Sequence, residues 1–165
     1  MNRLELRTAV LTRLGVAATG DGMATTPVVD AAIQSALTDL SNEAQWPWLL
    51  TSGALTFTGT TAPLPADMVQ AREFAVNNRR ARFVPLAEFL DEQTGGWRCV
   101  WTIIGSNVTI FPEPAAALSG PTLYYYRAEP ELTSDTQSPL CPGQYHQTVV
   151  ARAAYHVNVR RQKPE

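Results

Sequence analysis

The chain has 165 residues, a length that suits one domain with one core, and 45% of them are hydrophobic. Charged residues make up only 17% and the formal net charge is −2, against roughly 25% charged residues in an average soluble domain. That balance argues against a general nucleic-acid binder or a membrane-surface protein, and it points to surface that meets other protein.

Residues 2–14 read as a first helix with Leu4, Leu11 and Leu14 on one face and Val10 close by; Gly15 is placed to stop it. Residues 16–25 carry turn chemistry in Thr19-Gly20-Asp21-Gly22. A second helix runs from Thr26 to about Gln45, with Thr26 as cap and Pro27 in the first turn. Its apolar stripe is Val29, Ile33, Leu37, Leu40 and Ala44. Trp46-Pro47-Trp48-Leu49-Leu50 ends it, because Pro47 cannot continue a helix and pushes Trp46 out of the α region. Both tryptophans are thus expected on a stiff corner.

The period then changes to that of β structure, over about residues 52–127. Ala54 to Thr58 alternates, with Leu55 and Phe57 on one face. Leu64 to Met68 is a turn or short extended link held by Pro63 and Pro65. Ala71–Val76 and Arg79–Val84 flank Asn77-Asn78 as a hairpin. Pro85 to Gln93 suits a short helix with Leu86, Phe89 and Leu90 on one side, followed by Gly95-Gly96 as a stop. Trp97–Ile104 and Val108–Phe111 are strands around Gly105-Ser106-Asn107, and Pro112-Glu113-Pro114 ends the second. Thr122–Arg127 is the last strand, in which Tyr125 faces opposite to Tyr124 and Tyr126. Residues 128–141 form a polar link. A final helix over about 142–160 opens at Pro142, with Tyr145, Val149, Ala153 and His156 in one stripe. The expected fold is α+β, a single domain over 1–165. Two N-terminal helices and one C-terminal helix make a helical bundle that carries an inserted antiparallel β region.

Catalytic and metal chemistry find little support in these residues. His146 and His156 lie ten residues apart on one helix, about 80° apart in azimuth and roughly 15 Å along the axis. Neither has ligand neighbours at metal spacing, so packing or solvent roles are expected. There is no nucleophile elbow, phosphate-binding glycine loop or His-Glu-x-x-His. Glu88, Asp91 and Glu92 read as a solvated acidic face rather than an acid–base pair. Cys99 and Cys141 are isolated and expected reduced and buried. No apolar run approaches the ~20 residues of a membrane span, and the amphipathic start is not a signal peptide. No cofactor or metal is implied. Lys163 is the only lysine; codon bias accounts for the arginine excess more simply than interface selection. Arg79, Arg80 and Arg82, and at the tail Arg160, Arg161 and Lys163, suit charge-complementary protein contact or solvation better than specific nucleic-acid binding. Trp46, Trp48, Tyr125, Arg79, Arg80, Arg160, Arg161 and Lys163 are the interface candidates.

The order of motifs over about residues 24–160 resembles the head-to-tail adaptor (connector) proteins of tailed bacteriophages. The residues that carry this are Trp46-Pro47-Trp48-Leu49 after a capped helix; Leu55-Thr56-Phe57, then Leu64 to Met68; Asn107 to Pro114; Leu123 to Arg127; and Pro142 to His146 leading into a helix. The resemblance implies a non-enzymatic structural protein of the virion neck, assembled in the host cytoplasm. It implies copies in a ring, a dodecamer, bound below the portal protein and offering a platform to a tail or stopper/terminator protein. Double-stranded DNA would pass through without sequence-specific binding. Strong positive charge on the channel wall would hold phosphates, so Glu88, Asp91 or Glu92 are expected nearer the channel than the arginine clusters. Two other classes are weighed against this reading. One is a soluble module recognising a peptide or glycan through its β region, to be tested by ligand-dependent stabilisation of the monomer. The other is a small hydrolase of cell-wall polymers, which would need a convergent acid–base cleft.

Overall fold

A computed structural model describes residues 1–17, 22–76, 79–92, 99–112 and 120–161, without the side chains of Glu92 and Arg161. The fold is mixed α+β. Its elements in chain order are α1 (Arg3–Leu14), α2 (Thr26–Glu43), β1 (Leu50–Ala54), β2 (Thr61–Pro63), β3 (Met68–Val76), β4 (Arg79–Phe83), α3 (Leu86–Glu92), β5 (Val100–Ile104), β6 (Asn107–Phe111), β7 (Thr122–Arg127) and α4 (His146–Arg161). Short 3-10 turns at Pro47–Leu49 and Gly143–Tyr145 precede β1 and α4. The chain divides into two compact units, Met1–Leu49 with Ala128–Glu165, and Leu50–Arg127.

In the first unit α1, α2 and α4 share one core. The α2 stripe is as the sequence gives it, with Val29, Ile33, Leu37 and Leu40 buried and Ala32 and Ala36 beside them. Burying one such Val, Leu or Ile side chain is worth about 1.5–3 kcal/mol. Three boundaries differ from expectation. The residue capping α2 is Thr25, one earlier, and its side chain makes no capping bond; the helix ends at Glu43, leaving Ala44 outside the stripe and exposed. Pro142 begins a 3-10 turn rather than α4 itself. On α1 the buried residues are Leu6, Val10 and Leu11, while Leu4 is 48% exposed. The reason is rotational: α1 turns Arg3 and Arg7 toward Asp30 on α2, which carries Leu6 inward and Leu4 out. A capping box starts α1, with Asn2 Oδ1 accepting from the Glu5 N–H at 2.9 Å and Glu5 accepting from the Asn2 N–H at 3.0 Å. Gly15 closes it in the left-handed region, φ 68°.

The α4 stripe is broader than expected, with Val149, Val150, Ala153, Ala154 and Val157 buried and His156 at its edge. The 128–141 link is pinned despite its polarity. Glu129 accepts from the Leu140 N–H at 2.6 Å, Gln34 on α2 accepts from the Leu132 N–H at 3.2 Å, and Leu132 and Cys141 are buried.

The second unit is a seven-stranded sheet in the order β1-β7-β3-β4-β5-β6-β2. It is not wholly antiparallel: β4 and β5 pair in parallel, at Arg82↔Val100 and Phe83↔Trp101. The chain returns through α3 to lay β5 beside β4, and such a crossover makes parallel neighbours. The first strand forms at Leu50–Ala54, directly after the proline corner and earlier than the Ala54–Thr58 run. Leu55 is nonetheless buried, and Phe57 packs against Phe74 with ring centroids 5.7 Å apart. The hairpin strands β3 and β4 stand where expected; Asn77-Asn78, Gly95-Gly96, Trp97 and Glu113-Pro114 lie outside the described residues. Gly105 opens the β5–β6 turn at φ 59°, as a tight hairpin requires.

Candidate assembly surfaces

The tryptophan corner is stiff because it is cross-braced. Trp46 and Trp48 stack with centroids 4.5 Å apart and planes 18° from parallel. Tyr145, just ahead of α4, packs on both, at 5.3 and 4.9 Å. Trp46 Nε1–H donates to the Leu40 carbonyl at 2.6 Å, satisfying one of the carbonyls that a helix C-terminus leaves unpaired. Both indoles are half-buried, so they hold the corner within their own unit and leave an aromatic edge outside.

The tyrosine strand corrects one expectation. Tyr125 is buried with Leu123 in the sheet core, 6% exposed, so it is not available at a surface. Its hydroxyl donates to Asp67 at 2.9 Å, and burial first, then this carboxylate, holds its pKa above the usual tyrosine value. The exposed member is Tyr124, at 41%. Tyr126 is buried, accepts a hydrogen bond from Arg72, and has that guanidinium 5.8 Å from its ring centroid.

The sequence-predicted charges are spread over both units. Arg79, Arg80, Asp91 and Arg160 are exposed; Arg80 pairs with Glu73 at 2.6 Å, and Glu88 is bound by Arg82. Arg161 and Glu92 lack described side chains, and Lys163 lies outside the described residues. Arg79 and Arg80, with Leu50, Arg72, Glu73 and Tyr124, line a concavity of about 570 Å³. Among the described side chains of α3, Phe89 alone is buried; Leu86 and Leu90, expected beside it, are 47% and 54% exposed. About two turns of helix pack one edge beside β5, which leaves the other edge outside.

Two clusters were not foreseen. Asp30 receives Arg3 at 2.5 Å and both Nε and NH2 of Arg7 at 2.8 Å, and Arg7 also reaches Asp135 at 2.8 Å. Asp30, then Asp135, raise the Arg7 pKa. Arg3 and Arg7 are spaced i, i+4 on the buried side of α1, a signal the apolar count passes over. The second is His146, 7% exposed, whose Nε2–H donates to the Cys141 carbonyl at 3.1 Å. That fixes the tautomer, so Nδ1 accepts from the Met1 amine at 2.8 Å. His156 instead pairs with Asp39 at 2.9 Å. Cys99 is half-buried; Cys141 is buried and its thiol is pushed up to about 11, mainly by burial.

The His146 pair gives a pH dependence. Burial, then the Met1 ammonium, lowers its pKa, against smaller upward pulls from the Cys141 carbonyl and Glu5. The unfolded chain therefore takes up a proton below about pH 6.5 that the folded chain resists. Stability is expected to be full above that pH and to fall on acidification toward the lowered folded value. Urea midpoints taken between about pH 5 and 8 should show this slope, and His146→Gln should flatten it while lowering the plateau. An unchanged slope in His146→Gln would assign the dependence elsewhere.

Among the described residues no group of three His, Cys, Asp or Glu is placed to hold a metal ion, and no helix is long and apolar enough to cross a membrane. The clusters are bracing and surface features, and the class they fit is a small α+β structural subunit. A family model described as SU10 adaptor protein matches residues 1–164; the chain belongs to that family, one of phage head-to-tail adaptors, as its motif order suggests. No curated protein matches it.

Proposed function

We infer that this chain is a structural subunit of a tailed-phage neck. Copies assemble as a ring below the portal, in the virion between capsid and tail, continue the DNA channel, and present a platform to the tail or stopper protein. The observation that carries this is the family match over residues 1–164. The physical features are consistent with it. A braced aromatic corner stiffens the helical unit, and exposed Tyr155, Leu86 and Leu90 give the chain apolar contact surface. The role is non-enzymatic, and a dodecamer is the copy number that the motif resemblance favours.

The test is removal of the chain. Particles produced without it should contain filled or filling heads and separate tails, with head–tail joining restored when the chain is supplied. Joined, infectious particles lacking the chain would end this reading.

A further inference from the structure

The second unit presents two surfaces of opposite character at the two ends of β4. At its start lies the concavity lined by Arg72, Arg79 and Arg80 against the single carboxylate of Glu73, with Leu50 and Tyr124 at 39% and 41% exposure. Register places Glu73, Ala75, Arg80 and Tyr124 on the outer side of the sheet, while Arg79, opposite the buried Val76, joins the lining from the end of the hairpin. Glu73 faces Tyr124 and Ala75 faces Arg80, while Phe74, Leu123 and Tyr125 point to the core. Arg72 and Arg80 already hold Tyr126 and Glu73, but a guanidinium has five donors, so each keeps capacity for a partner.

At the other end, Leu86 and Leu90 of α3 are 47% and 54% exposed; Phe83, 54% exposed, stands edge-on to Trp101 and belongs to the other face of the sheet. Single exposed apolar residues mean little, whereas a cluster marks a protein contact. Leu86 and Leu90, spaced i, i+4, share one edge of α3, and exposed Asp91 and half-exposed Glu88 flank them. The concavity is mainly polar and basic, three arginines against one glutamate, with Leu50 and Tyr124 as its apolar part; the α3 ridge is apolar with Asp91 and the Arg82-bound Glu88 beside it.

We propose that these surfaces are the two halves of one contact between copies of this chain. The α3 ridge of one copy seats in the arginine-lined concavity of the next. Leu86 and Leu90 meet Leu50 and Tyr124, and Asp91 meets Arg79 and Arg80. Two different patches of one chain join, so the contact can run head-to-tail and propagate, as a ring requires; reciprocal pairing of the same patches would close at a dimer, and cross-linking that stops at a dimer would overturn the head-to-tail arrangement. This rests on the ring reading above. It puts Asp91, one of three carboxylates expected nearer the channel than the arginine clusters, at the seam between subunits.

Cross-linking in assembled particles tests it. Leu90→Cys with Tyr124→Cys, both at exposed sites, should give a ladder of covalent multimers with a short bis-maleimide. Each single variant, which keeps Cys99 and Cys141, should stay at the background. Charge exchange is the second arm. Arg80→Glu and Asp91→Arg should each cut incorporation roughly tenfold or more, the scale of unpairing an interfacial charge, and the double variant should recover it. A double-cysteine chain that enters particles and cross-links no more than the single variants overturns the proposal. So does an Arg80→Glu loss that Asp91→Arg fails to rescue, which would assign the concavity to a different partner. Wild-type chain absent from particles would instead overturn the adaptor reading itself.

Discussion

Trp101→Ala is expected to be the most damaging single substitution in the sheet unit, lowering stability by about 3–5 kcal/mol. Trp101 is 2% exposed, stands edge-on to Phe83 at 4.9 Å and lies 6.0 Å from Phe74. It also stands on the seam that, among the described residues, has the fewest paired positions. β4 and β5 are joined by two residue pairs, where β5 and β6 share five. Beyond the backbone bonds, the indole Nε1–H reaches across that seam to the Ala81 carbonyl at 3.2 Å. Removing it leaves a cavity and takes away that side-chain bond across the seam. At about 2–4 °C per kcal/mol for a chain of this size, the melting temperature should fall by roughly 6–20 °C. Trp101→Phe keeps much of the packing and loses the donor, so its loss should be well under half as large. Thermal and urea unfolding of the three chains measure this. Equal losses for Ala and Phe would show that the hydrogen bond, not packing, dominates the seam.

Asp30→Asn is expected to have the second largest effect, about 2–4 kcal/mol. Removing one member of a buried ion pair costs about 3–5 kcal/mol because the partner stays buried and uncompensated. Here Asp30, Arg7 and Arg3 are 12%, 11% and 20% exposed, and Asp135 remains to hold Arg7, which reduces the loss. Asp135→Asn should cost much less, since Asp135 is half-exposed. Hydrogen exchange adds a local readout. The Arg3 and Leu4 amides donate to the Gln137 and Asp135 carbonyls at 2.8 and 3.2 Å, so Asp30→Asn should speed exchange there before the α2 core. Equal effects of the two Asn variants would mean the cluster behaves as a solvated surface network.

Local signals located most elements, and tertiary choices decided the errors. The α2 stripe, the Gly15 stop and the β7 bounds follow from periodicity and backbone restriction alone. On α1 the expected stripe through Leu4, Leu11 and Leu14 is rotated, and the ion pairs to Asp30 go with a face that keeps Leu11, adds Leu6 and Val10, and turns Leu4 out. In β7 the parity of Leu123 places Tyr125 in the core and Tyr124 outside. That was legible once Leu123 is taken as the inward residue. The parallel β4–β5 seam was not, because strand direction depends on how the chain returns through α3. Likewise Leu86 and Leu90 read as core beside Phe89, since periodicity reports which side chains share a side, not whether anything covers it.

The most direct test of the adaptor role is cryo-electron microscopy of the neck in particles that carry this chain. The expected result is density for this chain as a closed ring of identical subunits between portal and tail, with a central opening wide enough for duplex DNA. Particles whose neck holds no copy of the chain, or holds it as isolated monomers outside the channel axis, would contradict the account.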